Sequence, residues 1–570
     1  MQLVIDIESN GLMELVIDSK GRPVSEGTVV HCVVTKNIDT NEVKVYTGDE
    51  LKSDLIRDLN KATLLIGHNI LGFDLTCLTR LLNFKLNAKV YDSLIVSKLM
   101  YPDLRDHPLG GNSLEAWGKH LGNEKTNYTG TWETLTQEML DYCIQDVHVA
   151  HDIFLKQAKW IQENKYEKIV AFEHLSSAIL MEQTNTGFGF NVEAGEKLLM
   201  ELLGDKAGIE DEMHTVFPTI VRERWSEKTG KRLKDEVEVF NPGSRQQIAS
   251  RLHTKYGWDA PLTEKGNPNV DSETLEDLDY PEAKKLVQYF DIVKLIGQVE
   301  DWVLRASSSR DGRIHGSVNG QGAATGRCTH AQPNMAQVAT DHRARELWGP
   351  VYNNEVILGS DLSGLELRML AHYMHKYDGG AYGEVILNGD IHTHNQTMAG
   401  LPTRNTAKVF IYGFLYGAGD AKVGQIIKGT AKQGKSLKVK FLESLPALAK
   451  VKAEVEFHYL KDKKVTLPDG RRVPIRSQHA ALNTLLQGAG AVLSKYWMIV
   501  ANKNLKARFG SRVRQMAYVH DELQFSCPEG IAEEAGKIIT ASATEAGERL
   551  GINIRIDAEY KIGSNWAQTH

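Results

Sequence analysis

Long apolar runs, paired cysteines and a basic surplus are all missing from this 570-residue chain. No stretch approaches the roughly 18 consecutive apolar residues that a membrane-spanning helix needs, so no membrane association through a helix is expected. The N-terminus has no basic segment, and its first apolar run is broken by Asp6 and Glu8, which argues against a signal peptide. The five cysteines (Cys32, Cys77, Cys143, Cys328, Cys527) lie far apart without a C-x-x-C pair, excluding a structural zinc site and fitting reduced thiols in a cytosol. Internal repeats and low-complexity linkers are absent as well. What remains is an ordinary globular composition, 42% apolar and 25% charged, long enough for three to five domains at about 100–200 residues each.

A formal net charge of −6 argues, as a total, against a nucleic-acid partner. Its distribution reverses that inference. Residues 1–165 carry 17 Lys and Arg against 23 Asp and Glu, and the other 405 residues carry 50 of each sign. Within the latter, 421–476 holds 14 basic and 5 acidic residues. Such a stretch suits either a phosphate-binding surface or a solvated lysine-rich helical face.

Gln2 to Glu8 reads as an opening strand closed by a Ser-Asn-Gly turn at 9–11, and 29–34 and 42–46 read as further strands. Helical periodicity follows at 132–160, making 1–165 an α/β domain. Residues 166–305 are mostly helical, 310–326 is Gly-rich, 356–358 is a strand, 402–430 is helical, and 517–525 resembles a hairpin.

Asp6 and Glu8 stand two apart on a strand and so share a face, a repulsive pair that divalent cations between them would relieve. His68-Asn69-Ile70-Leu71-Gly72-Phe73-Asp74 places Asp74 beyond the end of the apolar run Leu64 to Ile66, where ligands of α/β domains gather. Tyr142 and Asp146 are one helical turn apart. The ordered set D-x-E, H-N-x-x-x-F-D, Y-x-x-x-D resembles the DEDD-type 3′→5′ exonuclease domain. That resemblance implies a ribonuclease H-like fold in which Asp6, Glu8, Asp74 and Asp146 hold two Mg²⁺ or Mn²⁺ ions and Tyr142 orients the attacking water.

In the C-terminal half, strand 356–358 runs into Asp361-Leu362-Ser363-Gly364-Leu365-Glu366. Arg404, Lys408, Tyr412 and Tyr416 recur every four residues, a helical stripe of two cations followed by two aromatics. Tyr518-Val519-His520-Asp521-Glu522 puts carboxylates at a hairpin tip. In order, these segments match motifs A, B and C of the A-family DNA polymerases, and most closely the T7-type replicative branch. The match extends to Leu114-Glu115-Ala116-Trp117-Gly118, Ile314 to Asn319, Asn388 to Thr393, Ala481 to Gln487, Asn565-Trp566-Ala567 and His570.

The resemblance implies an α/β multidomain fold, an exonuclease domain followed by a right hand of palm, fingers and thumb. Expected boundaries are 1–165 (exonuclease), 166–310 (thumb), 311–372 (palm), 373–485 (fingers) and 486–570 (palm and tail). It further implies template-directed DNA synthesis with proofreading. Asp361, Asp521 and the Leu362 carbonyl would bind two Mg²⁺ (Mn²⁺ substituting), with Glu522 nearby. Arg404, Lys408 and His392 would neutralise the dNTP triphosphate, Lys408 also serving as proton donor to pyrophosphate. Tyr416 would pack near the templating base, and Arg327, Gln487 and His520 would read minor-groove acceptors common to all base pairs. Glu366 with Tyr412 would select deoxynucleotides, the Tyr412 hydroxyl replacing the missing 3′-hydroxyl of a dideoxynucleotide. Implied partners are primer-template DNA, dNTPs and a replicative helicase at the C-terminal tail, for a monomeric phage protein in host cytoplasm. Thioredoxin is not expected, because the thumb insertion that binds it is short here, about 217–240. Intrinsic processivity, another partner and distributive synthesis remain open. The rival readings are a single-subunit RNA polymerase, disfavoured by Glu366 and the exonuclease motif set, an inactive DNA-binding scaffold, disfavoured by the complete ligand sets, and an exonuclease with a vestigial polymerase, disfavoured by Arg404, Lys408 and Asp521.

Overall fold

The computed structural model describes residues 1–11, 28–124 and 128–570. They form two compact units. One comprises Met1–Gly189, His315–Gln337 and Gly349–His570; the other comprises Phe190–Ile314 and Val338–Trp348.

The first unit opens with a five-stranded sheet: β1 (Gln2–Ser9), β2 (Val30–Asn37), β3 (Val43–Thr47), β4 (Leu64–Gly67) and β5 (Lys89–Asp92), ordered β3-β2-β1-β4-β5. β1, β2 and β3 pair antiparallel, and β4 and β5 continue parallel to β1. Its helices include α1 (Asp74–Leu81), α2 (Ser93–Met100), α3 (Gln137–Asn164) and α4 (Glu167–Thr186). Both faces of the sheet are covered, so β1 is apolar almost throughout. Leu3, Ile5 and Ile7 face one core with Leu55, Leu75 and Leu78. Val4 faces the other, with Val147 and Ala150 of α3. The period of two therefore turns Asp6 and Glu8 toward α3.

The second unit is built on α5 (Val192–Val216), α6 (Arg245–Tyr256) and α7 (Pro281–Ser308) around Phe217, Phe240, Leu252, Leu286 and Tyr289. A short hairpin pairs Ile220–Arg222 with Glu236–Glu238 and leaves Trp225 exposed. This unit begins at Phe190 and also takes in Val338–Trp348.

Helix α4 belongs to the first unit. Its Glu173 is fully buried between Arg471 (2.6 Å) and Lys495 (3.0 Å), and Arg471 also pairs with Asp469 at 2.7 Å. These partners belong to the C-terminal part of the first unit, so α4 stays with it. Removing one member of a buried ion cluster leaves the others uncompensated. Glu173→Ala is therefore expected to destabilise the protein by about 3–5 kcal/mol, read from the denaturant midpoint.

That C-terminal part contains an antiparallel sheet of β6 (Glu355–Leu362), β7 (Arg514–Val519), β8 (Glu522–Pro528) and β9 (Ala558–Gly563), ordered β7-β8-β6-β9. Helices α8 (Leu365–Asp378), α9 (Arg404–Leu415), α10 (Ala431–Ser444), α11 (Pro446–Asp462), α12 (Ala481–Phe509), α13 (Glu529–Arg549) and α14 (Trp566–Thr569) accompany it. One core runs through Leu358, Leu370, Phe410, Phe441, Trp497 and Phe525. The helix expected over 402–430 breaks after Leu415. Gly417 takes φ +79°, and a Cβ there would lie 2.6 Å from the His479 carbonyl oxygen, so the chain turns before resuming at Asp420–Ile426. The lysine-rich stretch 421–476 forms α10, α11 and the hairpin of Lys464–Thr466 with Arg472–Pro474.

Candidate active sites

The first sheet assembles one carboxylate cluster. Asp6 and Glu8 point toward α3, which presents Tyr142, Cys143 and Asp146 on successive positions of one turn and a little more. Oxygen atoms of Asp6 and Glu8 and the sulfur of Cys143 all lie within 4.8 Å of one another. Asp74 begins α1 and is 4% exposed. Burial, then the Asp6 charge, push its carboxyl well above the ordinary carboxylate range. Asp146 is equally buried, at 3% exposure. Tyr142 is half-buried, its ring 5.9 Å from that of Tyr128 and 6.1 Å from that of Trp132.

Sequence reasoning missed Asp92, which shapes this site from behind. Its carboxylate caps α2 at Leu94 and accepts the backbone N–H groups of Asn69 (2.9 Å) and Leu71 (3.2 Å). The 68–73 loop, with Asn69 at φ +63°, is thereby held in the shape that delivers Asp74. An acidic residue at a strand end before a helix was the available signal.

The second cluster lies where β6 meets β8. Asp361 pairs directly with Glu522, and the Leu362 N–H donates to the Asp521 carbonyl at 3.0 Å. His520 precedes them in a left-handed conformation (φ +59°), its carbonyl accepting the Ser494 hydroxyl of α12. Burial, then repulsion from Glu522, push the Asp361 carboxyl up to about 7. Burial, then Glu366, push Asp521 up to about 6. Glu522 behaves oppositely. Its burial is outweighed by hydrogen bonds from His570 (3.0 Å), Trp566 (2.6 Å) and Gln524 (2.7 Å), which hold it below the ordinary range. Trp566 and Thr569 of the tail are 1% exposed, bonded to Glu522 and Gln524 of β8.

Protonated in the fold and ionised when unfolded across about pH 4–7, Asp361 makes metal-free stability fall as pH rises through that window. Asp361→Asn is expected to raise the melting temperature in chelator by about 2 °C or more at pH 8, the gain shrinking toward pH 5. Scanning calorimetry checks it.

Beside this cluster stand the stripe residues of α9. Tyr412 is half-buried; burial, then Glu366 and Asp521, raise its phenol. Its ring lies 6.2 Å from that of His392. Lys408 is exposed, and Arg404 is ion-paired with Asp390 at 2.6 Å. Tyr416 sits just past the helix end, and its hydroxyl donates to Glu366 at 3.1 Å. Arg327 approaches the same carboxylate at 3.8 Å. Gln487 is half-buried on α12.

Residues 220–568 match the model of DNA polymerase family A. The DNA-directed DNA polymerase of Escherichia phage T7 is 31% identical over 723 aligned positions, covering all of both chains. That of Enterobacteria phage T3 has the same identity and coverage. The POL domain of Pol1 from M. smegmatis, in complex with DNA primer-template and dNTP, superposes with a TM-score of 0.81 at 18% identity, covering 100% of this chain and 96% of that one. The chain belongs to DNA polymerase family A and is a polymerase of the T7 type.

Proposed function

We propose that the enzyme extends a DNA primer at the β6–β8 cluster and shortens it 3′→5′ at the cluster on β1, replicating a phage genome in the host cytoplasm. The observation that carries the synthetic reading is the Asp361 carboxyl, lifted to about 7 beside Glu522 and Asp521. Buried carboxylates packed this closely are costly to ionise without a counter-charge, and hard oxygen donors suit Mg²⁺ or Mn²⁺. Asp361, Asp521 and the Leu362 carbonyl would hold the ions of synthesis; Asp6, Glu8, Asp74 and Asp146 those of hydrolysis. When bound, such ions supply an activated oxygen nucleophile and neutralise the charge of the leaving group.

The chain's own residues do the rest. Glu522, fixed by Trp566 and Gln524, keeps its charge and orients the cluster. Lys408, with Arg404 released from Asp390, offsets triphosphate charge, and Lys408 protonates the departing pyrophosphate. His392 contributes as a hydrogen-bond donor. Its burial, then Arg404 and Lys408, lower its pKa and keep the ring neutral. Glu366, bound by Tyr416, closes the ribose 2′ side. Arg327, Gln487 and His520 test pair geometry from the minor groove, and Tyr142 orients water for hydrolysis. We place the thumb in the unit of Phe190–Ile314, the fingers over 373–485 and the exonuclease domain over 1–165.

Thioredoxin is outside the proposal. The alignment with the T7 enzyme is longer than this chain, so that relative carries segments lacking here, and the hairpin at 220–238 is short. Primer extension with a DNA trap, run with and without thioredoxin and read for lengthening and shortening, tests the reading. Mg²⁺-dependent extension and degradation, both indifferent to thioredoxin, are expected; absence of both activities would sink it.

A further inference from the structure

Asp390 has no part in the proposed chemistry, yet it holds one of its cations. It precedes the helix Ile391–Ala399, and its Oδ1 caps that helix by accepting the N–H groups of His392 (3.0 Å) and Thr393 (3.3 Å). Its Oδ2 accepts the Thr393 hydroxyl at 3.0 Å and the Arg404 Nε–H at 2.6 Å. These bonds, that of Arg404 foremost, hold the carboxyl well below the ordinary carboxylate range, so it stays ionised.

The two partners differ in freedom. Three bonds fix Asp390 to the first turn of its own helix, whereas Arg404 is a long side chain, 54% exposed, on the first residue of α9. A helix start favours an anion over a cation, and here Asp390 is the anion. A phosphate oxygen is an acceptor of the same kind. His392 stands two residues from Asp390, and Lys408 one helical turn beyond Arg404, so the proposed triphosphate donors surround this carboxylate in the chain.

We propose that Asp390 is a built-in competitor for Arg404, taking the guanidinium back from bound phosphate and so promoting release of pyrophosphate. The inference rests on the reading of Arg404 as a triphosphate ligand. The exchange breaks one charge-assisted hydrogen bond and forms another, so the arginine passes from acceptor to acceptor. A ligand that must first free the arginine binds more weakly in proportion to the time the arginine is held. Because the ion pair is half exposed, the effect is modest, about twofold to fivefold.

The test uses the whole chain with primer-template, reading the pyrophosphate inhibition constant and the dNTP affinity from single-turnover extension. Asp390→Asn keeps a capping oxygen and drops the charge; Asp390→Ser is a second uncharged cap. Both variants are expected to bind pyrophosphate and dNTP about twofold to fivefold more tightly than wild type. In an Arg404→Gln background, Asp390→Asn is expected to change neither constant. Unchanged constants in both single variants overturn the proposal. So does an equal gain in the Arg404→Gln background, which would mean simple relief of charge repulsion. Arg404→Gln alone separates the two readings. Wild-type dNTP affinity in that variant refutes Arg404 as a triphosphate ligand; weakened affinity there, beside an unaltered Asp390→Asn, refutes only the competitor.

Discussion

Asp361→Ala is expected to abolish primer extension, lowering the rate about 10³-fold or more, while 3′→5′ degradation survives. Asp6→Ala is expected to do the reverse. The separation follows from position. Asp361 is the penultimate residue of β6 in the C-terminal sheet, and Asp6 lies in the middle of β1 in the N-terminal one. Neither group is among the charges that shift the other cluster: Asp361 responds to Glu522, His570, Asp521 and Lys561, and Asp74 to Asp6 and Asp92. Truncating Asp361 relieves repulsion on Glu522 and leaves a small cavity at a half-buried strand end, so folding should persist. One gel, with labelled primer and dNTPs supplied or withheld, reports both activities for both variants. Loss of extension in Asp6→Ala, or loss of degradation in Asp361→Ala, would contradict two independent centres.

Tyr412→Phe is expected to raise discrimination against dideoxynucleotides by about 10²-fold or more. Tyr412 is held at the junction of α9 with Glu366 and Asp521, both of which act on its phenol. A hydroxyl at that place can supply the hydrogen bond that a dideoxynucleotide lacks at its 3′ carbon. Without it, only a nucleotide that carries its own 3′-hydroxyl satisfies the site. Phenylalanine retains the ring and its packing beside His392, so natural dNTP incorporation and stability should change little. Single-turnover rates for ddTTP and dTTP measure the ratio; an unchanged ratio would mean that the hydroxyl points elsewhere in the working enzyme.

Much of this was present in local pattern. The alternation of β1 put Asp6 and Glu8 on one face, and the four-residue spacing of Arg404, Lys408 and Tyr412 put them on one side of α9, because backbone geometry fixes those periods. The negative total charge misled until it was divided between an acidic N-terminal domain and a basic stretch at 421–476. Periodicity, however, says which residues share a face and not which faces meet. Nothing near Glu173 announces Arg471 and Lys495, some 300 residues later, as its partners. The break at Gly417 came from a carbonyl of His479 rather than from any local signal beyond the glycine itself.

The sequence alone therefore determined the polymerase family, the order of its motifs and the chemical type of each cluster, since those reside in residue identity and short-range spacing. Tertiary structure decided that Trp566, Gln524 and His570 hold Glu522, that Asp92 holds the loop of Asp74, and that Cys143 lies against Asp6. Those contacts join segments distant in the chain, and only the packing of one buried surface on another brings them within bonding distance.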